Sequence, residues 1–252
     1  MNNYEKPTIV LIAGAWHHGS IFNPVAEILR AQEYPVEMVT LLSTGGPTST
    51  TVADDAAHIR NTVLNNLIAE GKEVILVLHS YAAIPGSDSI KGLVRRDLAL
   101  KNQRGGVAAL VYIAAFLLPS GQSVDSFLGG VEKLLTSEGD KITVSDPIER
   151  FYNDLDAKTT EKCLADIAPY QAKPTIFTPA TYDAYRDVPS TYLLCEKDAA
   201  MPLDLQKAMI TTAGEDLIKS HTCGAGHLPM LGTPQVVFDV IDRASNDAIG
   251  KL

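Results

Sequence analysis

A serine, an aspartate and a histidine, Ser80, Asp198 and His227, occur in this chain order at points where the local sequence changes character. Ser80 lies in Val77-Leu78-His79-Ser80-Tyr81-Ala82-Ala83, where an apolar strand gives way to a helix of small residues. A serine on so sharp a strand-to-helix turn holds its oxygen clear of the sheet. The N–H of Tyr81 and the helix N-terminus then face the same spot, where they can stabilise an oxyanion. Asp198 follows the strand-like run Tyr192-Leu193-Leu194-Cys195, at the carboxyl edge where parallel-sheet sites form. His227 follows Cys223-Gly224-Ala225-Gly226, a stretch loose enough to let the imidazole turn inward. These are the parts of an acyl-transfer site: a hydroxyl nucleophile, an imidazole base and a carboxylate to orient it. Two of them also have a plain structural reading, Ser80 as a helix cap and His227 as a packed loop histidine. The order Ser–Asp–His, with every member at a strand end, favours the chemistry.

The pattern G-x-S-x-G is met only in part, because Leu78 and Ala82 stand where glycines are usual. His79 points away from Ser80 by strand alternation and reads as a packing residue. His58 falls on the polar side of a helix, and His221 reads as structural. Glu196 faces elsewhere on its strand. No HExxH, His/Cys cluster or EF-hand spacing occurs, so no metal is expected. The stretch Gly14-Ala15-Trp16-His17-His18-Gly19 lacks both the P-loop lysine and a G-x-G-x-x-G, so no nucleotide cofactor is expected.

Alternating elements must hold these residues. Strands are expected over residues 8–12, 36–42, 73–78, 106–115, 190–195 and 216–220, and helices over 21–31, 51–69, 81–91, 204–212 and 234–246. Strands apolar throughout, such as Val74-Ile75-Leu76-Val77-Leu78, are buried on both faces, as in parallel sheets. The expectation is an α/β fold: a mainly parallel sheet with helices on both faces. Residues 117–188 break the alternation and are too long for a loop. They read as a helical cap insertion over one end of the sheet, with no convincing strand. That divides the chain into a core, 1–116 and 189–252, and a cap, 117–188.

The 252 residues carry a net charge of −9, which argues against nucleic acid, whose phosphates demand basic patches. No apolar run reaches the roughly 18–20 residues of a membrane span, so no membrane partner is expected. Met1-Asn2-Asn3-Tyr4-Glu5-Lys6-Pro7 has no apolar signal core, so no secretory route is implied. Cys163, Cys195 and Cys223 are widely spaced and read as buried, reduced thiols of a cytoplasmic protein.

The chain resembles the α/β-hydrolase superfamily over essentially its whole length. It is most similar to small serine esterases grouped with plant methylesterases and hydroxynitrile lyases, and to their fungal and bacterial relatives. The likeness is carried by Leu11-Ile12-Ala13-Gly14-Ala15-Trp16-His17, His79-Ser80-Tyr81, Tyr192 to Asp198 with Pro202, and Gly226-His227. Phe151-Tyr152-Asn153-Asp154 and Tyr185 to Ser190 look like segments of the fungal and bacterial relatives. The resemblance implies an α/β-hydrolase fold with Ser80 as nucleophile, His227 as base then acid, and Asp198 as its orienter. It implies an oxyanion hole from the backbone N–H groups of Ala15 and Tyr81. Some relatives draw the acid from the strand before the cap, which makes Asp125 the rival to Asp198. Gly14, Trp16, His17, Phe127, Tyr152, Tyr182 and Leu228 are candidate pocket residues, and His18, Phe151, Phe177 and Tyr185 could also line it. The cap aromatics could equally form the cap's own small core.

The expected function is hydrolysis of a carboxylic ester or lactone of a small hydrophobic molecule through an acyl-enzyme. One alternative is a lyase or isomerase that uses the same Ser and His as proton shuttles. Leu228 stands where hydroxynitrile lyases of this family carry lysine, which disfavours cyanohydrin cleavage. The other alternative is a binding protein without catalysis. The sequence leaves the oligomeric state open.

Overall fold

The computed structural model describes residues 5–131 and 135–249. The strands are β1 (Thr8–Ile12), β2 (Val36–Val39), β3 (Glu73–His79), β4 (Gly106–Ile113), β5 (Leu135–Glu138), β6 (Lys141–Val144), β7 (Gln171–Ala172), β8 (Ser190–Cys195) and β9 (Ile218–Cys223). β1, β4 and β8 are buried along their whole length, and β3 after its first residue. That burial is what their unbroken apolar sequences require. The main sheet runs β2-β1-β3-β4-β8-β9, with every pairing parallel. The chain goes from β1 outward to β2, then returns past β1 to β3. The strand order therefore reverses between β1 and β3, and a parallel sheet opens a crevice outside the carboxyl ends at such a point. Ala13 and Ser80 follow those two ends.

Helices cover both faces of the sheet. Pro234–Ile249 packs along β3, β4 and β8 and buries Val237, Val240, Ile241, Ala244 and Ala248, one stripe at helical spacing. Val52–Ile59 starts at Thr51, whose hydroxyl accepts the Asp54 N–H while the Asp54 carboxylate accepts that of Thr51, a complete capping box. The helix expected over residues 51–69 is not uniform: Arg60–Leu64 is a π-helical stretch, followed by Asn65–Ala69. Within it the Thr62 hydroxyl donates to the His58 carbonyl, and Asn66 Nδ2 donates to the Thr62 carbonyl, local bonds that compete with the regular ladder. Among the described residues no helix is long and apolar enough to cross a membrane. Met1 to Tyr4, part of the N-terminal stretch read above, lie outside the described residues.

The strand expectations change in several places: β2 ends at Val39 rather than 42, and β4 at Ile113 rather than 115. β9 extends to Cys223 because it keeps pairing in register with β8, as far as Cys195 opposite Cys223, whereas Glu215–Leu217 is a 3-10 turn. The 117–188 segment is helical in part, at Val124–Leu128, Pro147–Phe151, Ala157–Asp166 and Pro174–Phe177, but it also contains the antiparallel sheet β5-β6-β7. β5 and β6 form a hairpin around Gly139-Asp140, with Gly139 at φ 57° as a tight two-residue turn demands. The alternation in Leu135-Thr136-Ser137-Glu138 and Lys141-Ile142-Thr143-Val144, split by Gly-Asp, was the legible signal for it.

The turn at Ser80 tests the missing glycines. Ser80 has φ 53°, a left-handed conformation that costs a non-glycine residue about 1–2 kcal/mol. It is followed by a 3-10 turn, Ser80–Ala82, and the helix Ala83–Ser89. Leu78 fits in place of glycine because the residue it meets on that helix has no side chain: a Cβ on Gly86 would lie 2.2 Å from Leu78 Cδ2. Leu78 is fully buried, so it has little room to swing aside. Gly86→Ala is therefore expected to destabilise the fold by about 1–3 kcal/mol, as overpacking does. Leu78→Ala in the same chain should recover part of that loss. Chemical denaturation of the two single variants and the double variant measures the coupling, and additive losses would contradict the packing argument.

Candidate active site

Three loops meet where the sheet order reverses. The first follows β1. A Cβ on Gly14 would lie 2.8 Å from Ser80 Cβ and 2.9 Å from the His79 carbonyl oxygen, so only glycine lets this loop press against the serine turn. Ala15 and Trp16 come next, both buried, Trp16 with φ 62°. The second loop carries Asp198. Its Oδ1 accepts the Ala200 and Met201 N–H groups, each at 2.8 Å, which leaves Oδ2 for a different partner. That partner is on the third loop: His227 Nδ1 lies 2.8 Å from Asp198 Oδ2. An imidazole held so by a carboxylate carries its proton on Nδ1 and presents Nε2 as a base.

His79 does more than pack. The Gly14 N–H donates to its Nδ1 at 3.3 Å, so Nε2 carries the proton and donates to the His227 carbonyl at 3.0 Å. One buried imidazole thus ties the first loop to the third. Burial, with His227 and His17 nearby, holds its pKa well below the ordinary value and keeps it neutral.

Ala15, Trp16, Ser80, Tyr81 and His227 share the wall of one cavity of about 90 Å³. The rest of its wall is mainly apolar, with Phe116, Phe151 and Met201 near the loops and Val124, Leu128 and Ile176 from the 117–188 segment. Arg150 is the cation in that wall. The Phe151 ring stacks on His227 at 5.4 Å between centroids and 28° between planes. Asp125 does not reach His227: its carboxylate accepts the Val131 N–H at 3.0 Å.

The other candidate pocket residues stand off this cavity. Gly14 lies beneath the serine turn, and Leu228 is buried behind the histidine loop. Phe127 is half-buried against the core. Tyr182 donates to Asp187 at 2.6 Å and lines a separate small pocket. His17 donates from Nδ1 to the Ala15 carbonyl at 2.9 Å and accepts from the Tyr152 hydroxyl on Nε2 at 3.1 Å, so both support the first loop from behind. His18 lines a different surface cleft with Cys163 and Asp166. Phe116, Met201 and Arg150 were missed because they sit just past strand ends or inside the insertion, where alternation gives no direction. The cysteines are not all far apart: Cys195 Sγ lies 3.8 Å from Cys223 Sγ across the β8–β9 pairing.

Burial of His17 has a consequence for pH. Desolvation holds its pKa down at about 4, against 6.5 for a free histidine. Between those values the unfolded chain takes up a proton that the folded chain excludes. Stability is therefore full above about pH 6.5 and falls as pH drops toward 4, by about 3 kcal/mol from this residue. Denaturation midpoints measured across that window should fall more steeply for the native chain than for His17→Gln. Parallel curves would show that His17 is protonated without penalty.

The six-stranded parallel sheet with helices around it is an α/β-hydrolase fold, and the chain belongs to the alpha/beta hydrolase family, whose model matches residues 9–240. It is 30% identical to the alpha/beta hydrolase nvfD of Aspergillus novofumigatus, covering 97% of this chain and 98% of that one. Among solved structures it is similar to a pyrethroid hydrolase from Sphingobium faniae, at TM-score 0.72 and 21% identity, covering 98% of this chain and 99% of the other. It is likewise similar to an extracellular alpha/beta-hydrolase from a Paenibacillus species described as homologous to tobacco salicylic acid binding protein 2. There the TM-score is 0.73 and the identity 20%, over 94% of this chain and 98% of the other.

Proposed function

We propose that the protein is a serine hydrolase that cleaves a carboxylic ester or lactone of a small, largely apolar molecule. The observation that carries this reading is the shared wall of Ser80 and His227 in one apolar cavity, with Asp198 on the far nitrogen of the imidazole. Ser80 Oγ attacks the carbonyl carbon while His227 Nε2 takes its proton. The N–H groups of Ala15 and Tyr81 hold the developing oxyanion. His227 then protonates the leaving alkoxide, and water activated by the same imidazole releases the acid. Asp198 keeps the imidazole in the tautomer this requires and stabilises the imidazolium. The 117–188 segment acts as a cap that excludes bulk water and shapes selectivity. Arg150 gives the substrate's polar edge a partner in an otherwise apolar wall.

The names of the relatives support hydrolysis rather than binding alone. Three unbridged cysteines suit a reducing, cytoplasmic setting. A fluorophosphonate probe tests the reading. It is expected to label Ser80 alone and to abolish turnover of a p-nitrophenyl ester. Labelling at a different serine, or full activity after labelling, would overturn the nucleophile assignment. Ester turnover that releases no free acid would point instead to the lyase or isomerase alternative.

A further inference from the structure

Four consecutive residues of the 117–188 segment, Phe151-Tyr152-Asn153-Asp154, reach all three loops of the site. Phe151 stacks on the His227 ring. The Tyr152 hydroxyl donates to His17, which in turn holds the Ala15 carbonyl. Asn153 Nδ2 donates to the Lys197 carbonyl at 2.9 Å, and Lys197 immediately precedes Asp198. The Asp154 carboxylate accepts the N–H of Gly226, which immediately precedes His227. The two loops also touch each other, through the Lys197 N–H and the Ala225 carbonyl at 3.0 Å. Gly226 is matched to this grip: a Cβ there would lie 2.4 Å from Asp154 Oδ1 and 2.6 Å from Asn153 Oδ1.

We propose that Asn153 and Asp154 are positioning residues, which set Asp198 and His227 relative to each other by holding the residue before each. This rests on the reading of Ser80, Asp198 and His227 given above. The glycine-rich run Gly224-Ala225-Gly226 leaves the histidine loop few side chains with which to fix itself. Asp154 supplies from outside the anchor that the loop lacks. The carboxylate accepts from a backbone N–H, a charge-assisted bond stronger than a neutral one. On the aspartate side the bond is neutral and runs the other way: Asn153 Nδ2 donates to the Lys197 carbonyl. The cap therefore does more than roof the cavity: its seating completes the geometry of the site.

Both side chains are otherwise exposed to solvent, so their removal opens no void in the core. This separates positioning from folding in the test. Asp154→Ala is expected to lower kcat for a p-nitrophenyl ester by about 10- to 100-fold, the scale of a misplacement near 1 Å. KM and the thermal midpoint should stay near those of the native chain, and the rate of fluorophosphonate labelling of Ser80 should fall with kcat. Asp154→Asn keeps a carbonyl oxygen that can accept the Gly226 N–H and should restore most of the rate. Asn153→Ala should act in the same direction as Asp154→Ala. Native kcat in Asp154→Ala would overturn the proposal, as would equal losses in the Ala and Asn variants. A kcat loss that tracks a fall in thermal midpoint would reduce the tie to ordinary stability and also overturn it. A Ser80→Ala control that still turns over ester would instead defeat the reading of the site itself.

Discussion

Ser80→Ala and His227→Ala are each expected to lower kcat by about 10⁴–10⁶-fold while leaving the fold intact. Ser80 and His227 face one cavity, and in the proposed mechanism neither completes the reaction alone: without the imidazole the hydroxyl keeps its proton, and without the hydroxyl the imidazole has nothing to activate. The double variant should therefore be little worse than either single one, because the residues act as a unit. Residual turnover would come from the oxyanion donors and the cavity. Steady-state kinetics on the three variants, with circular dichroism as a check on folding, decides the matter. Losses that multiply would show that the two side chains work in separate steps. Near-native turnover in Ser80→Ala would show that no acyl-serine forms.

Asp198→Asn is expected to lower kcat by about 10⁴-fold, with Asp125→Asn close to native. The carboxylate holds Nδ1–H of His227 from Oδ2 while its Oδ1 is fixed by two backbone N–H groups. The amide of asparagine has a single oxygen to share between those duties. If that oxygen keeps the backbone donors, the NH₂ faces His227 and forces the proton to the nitrogen that should serve as base. Asp125 offers no substitute, because it is turned toward Val131. Separate kinetics on the two variants provide the test: a crippled Asp125→Asn beside a mild Asp198→Asn would reverse the assignment.

The core was legible because burial leaves a strong imprint on sequence. β1, β3 and β4 are apolar runs with one stable position, and Thr51 and Gly71 punctuate the helical stretch between β2 and β3. The edge strand β9 was harder to place. Lys219, Ser220 and Thr222 face solvent, so its extent is set by pairing with β8 rather than by pattern. In the site, the residues at strand ends could be named, since the switch point fixes where they must gather. The wall of the cavity could not. Arg150 and Phe151 belong to a five-residue helix whose facing is set only by its docking on the core. The bonds from Asn153 and Asp154 were out of reach for the same reason: their partners lie more than 40 residues away in the chain. The tie that His79 makes between the first and third loops was out of reach too, because its two partners are backbone groups, which leave no trace in residue types.

The contact between Leu78 and Gly86 has a historical consequence. The room needed between strand and helix is a joint property of two positions, and either one can be the small partner. Substitutions at the pair cannot then accumulate in any order. A chain with glycine at both positions is merely loose, whereas one with bulk at both is jammed. Exchanging one arrangement for the other by glycine-for-leucine steps alone would therefore run through the loose state. In this chain the constraint on position 78 is met eight residues further along, at Gly86.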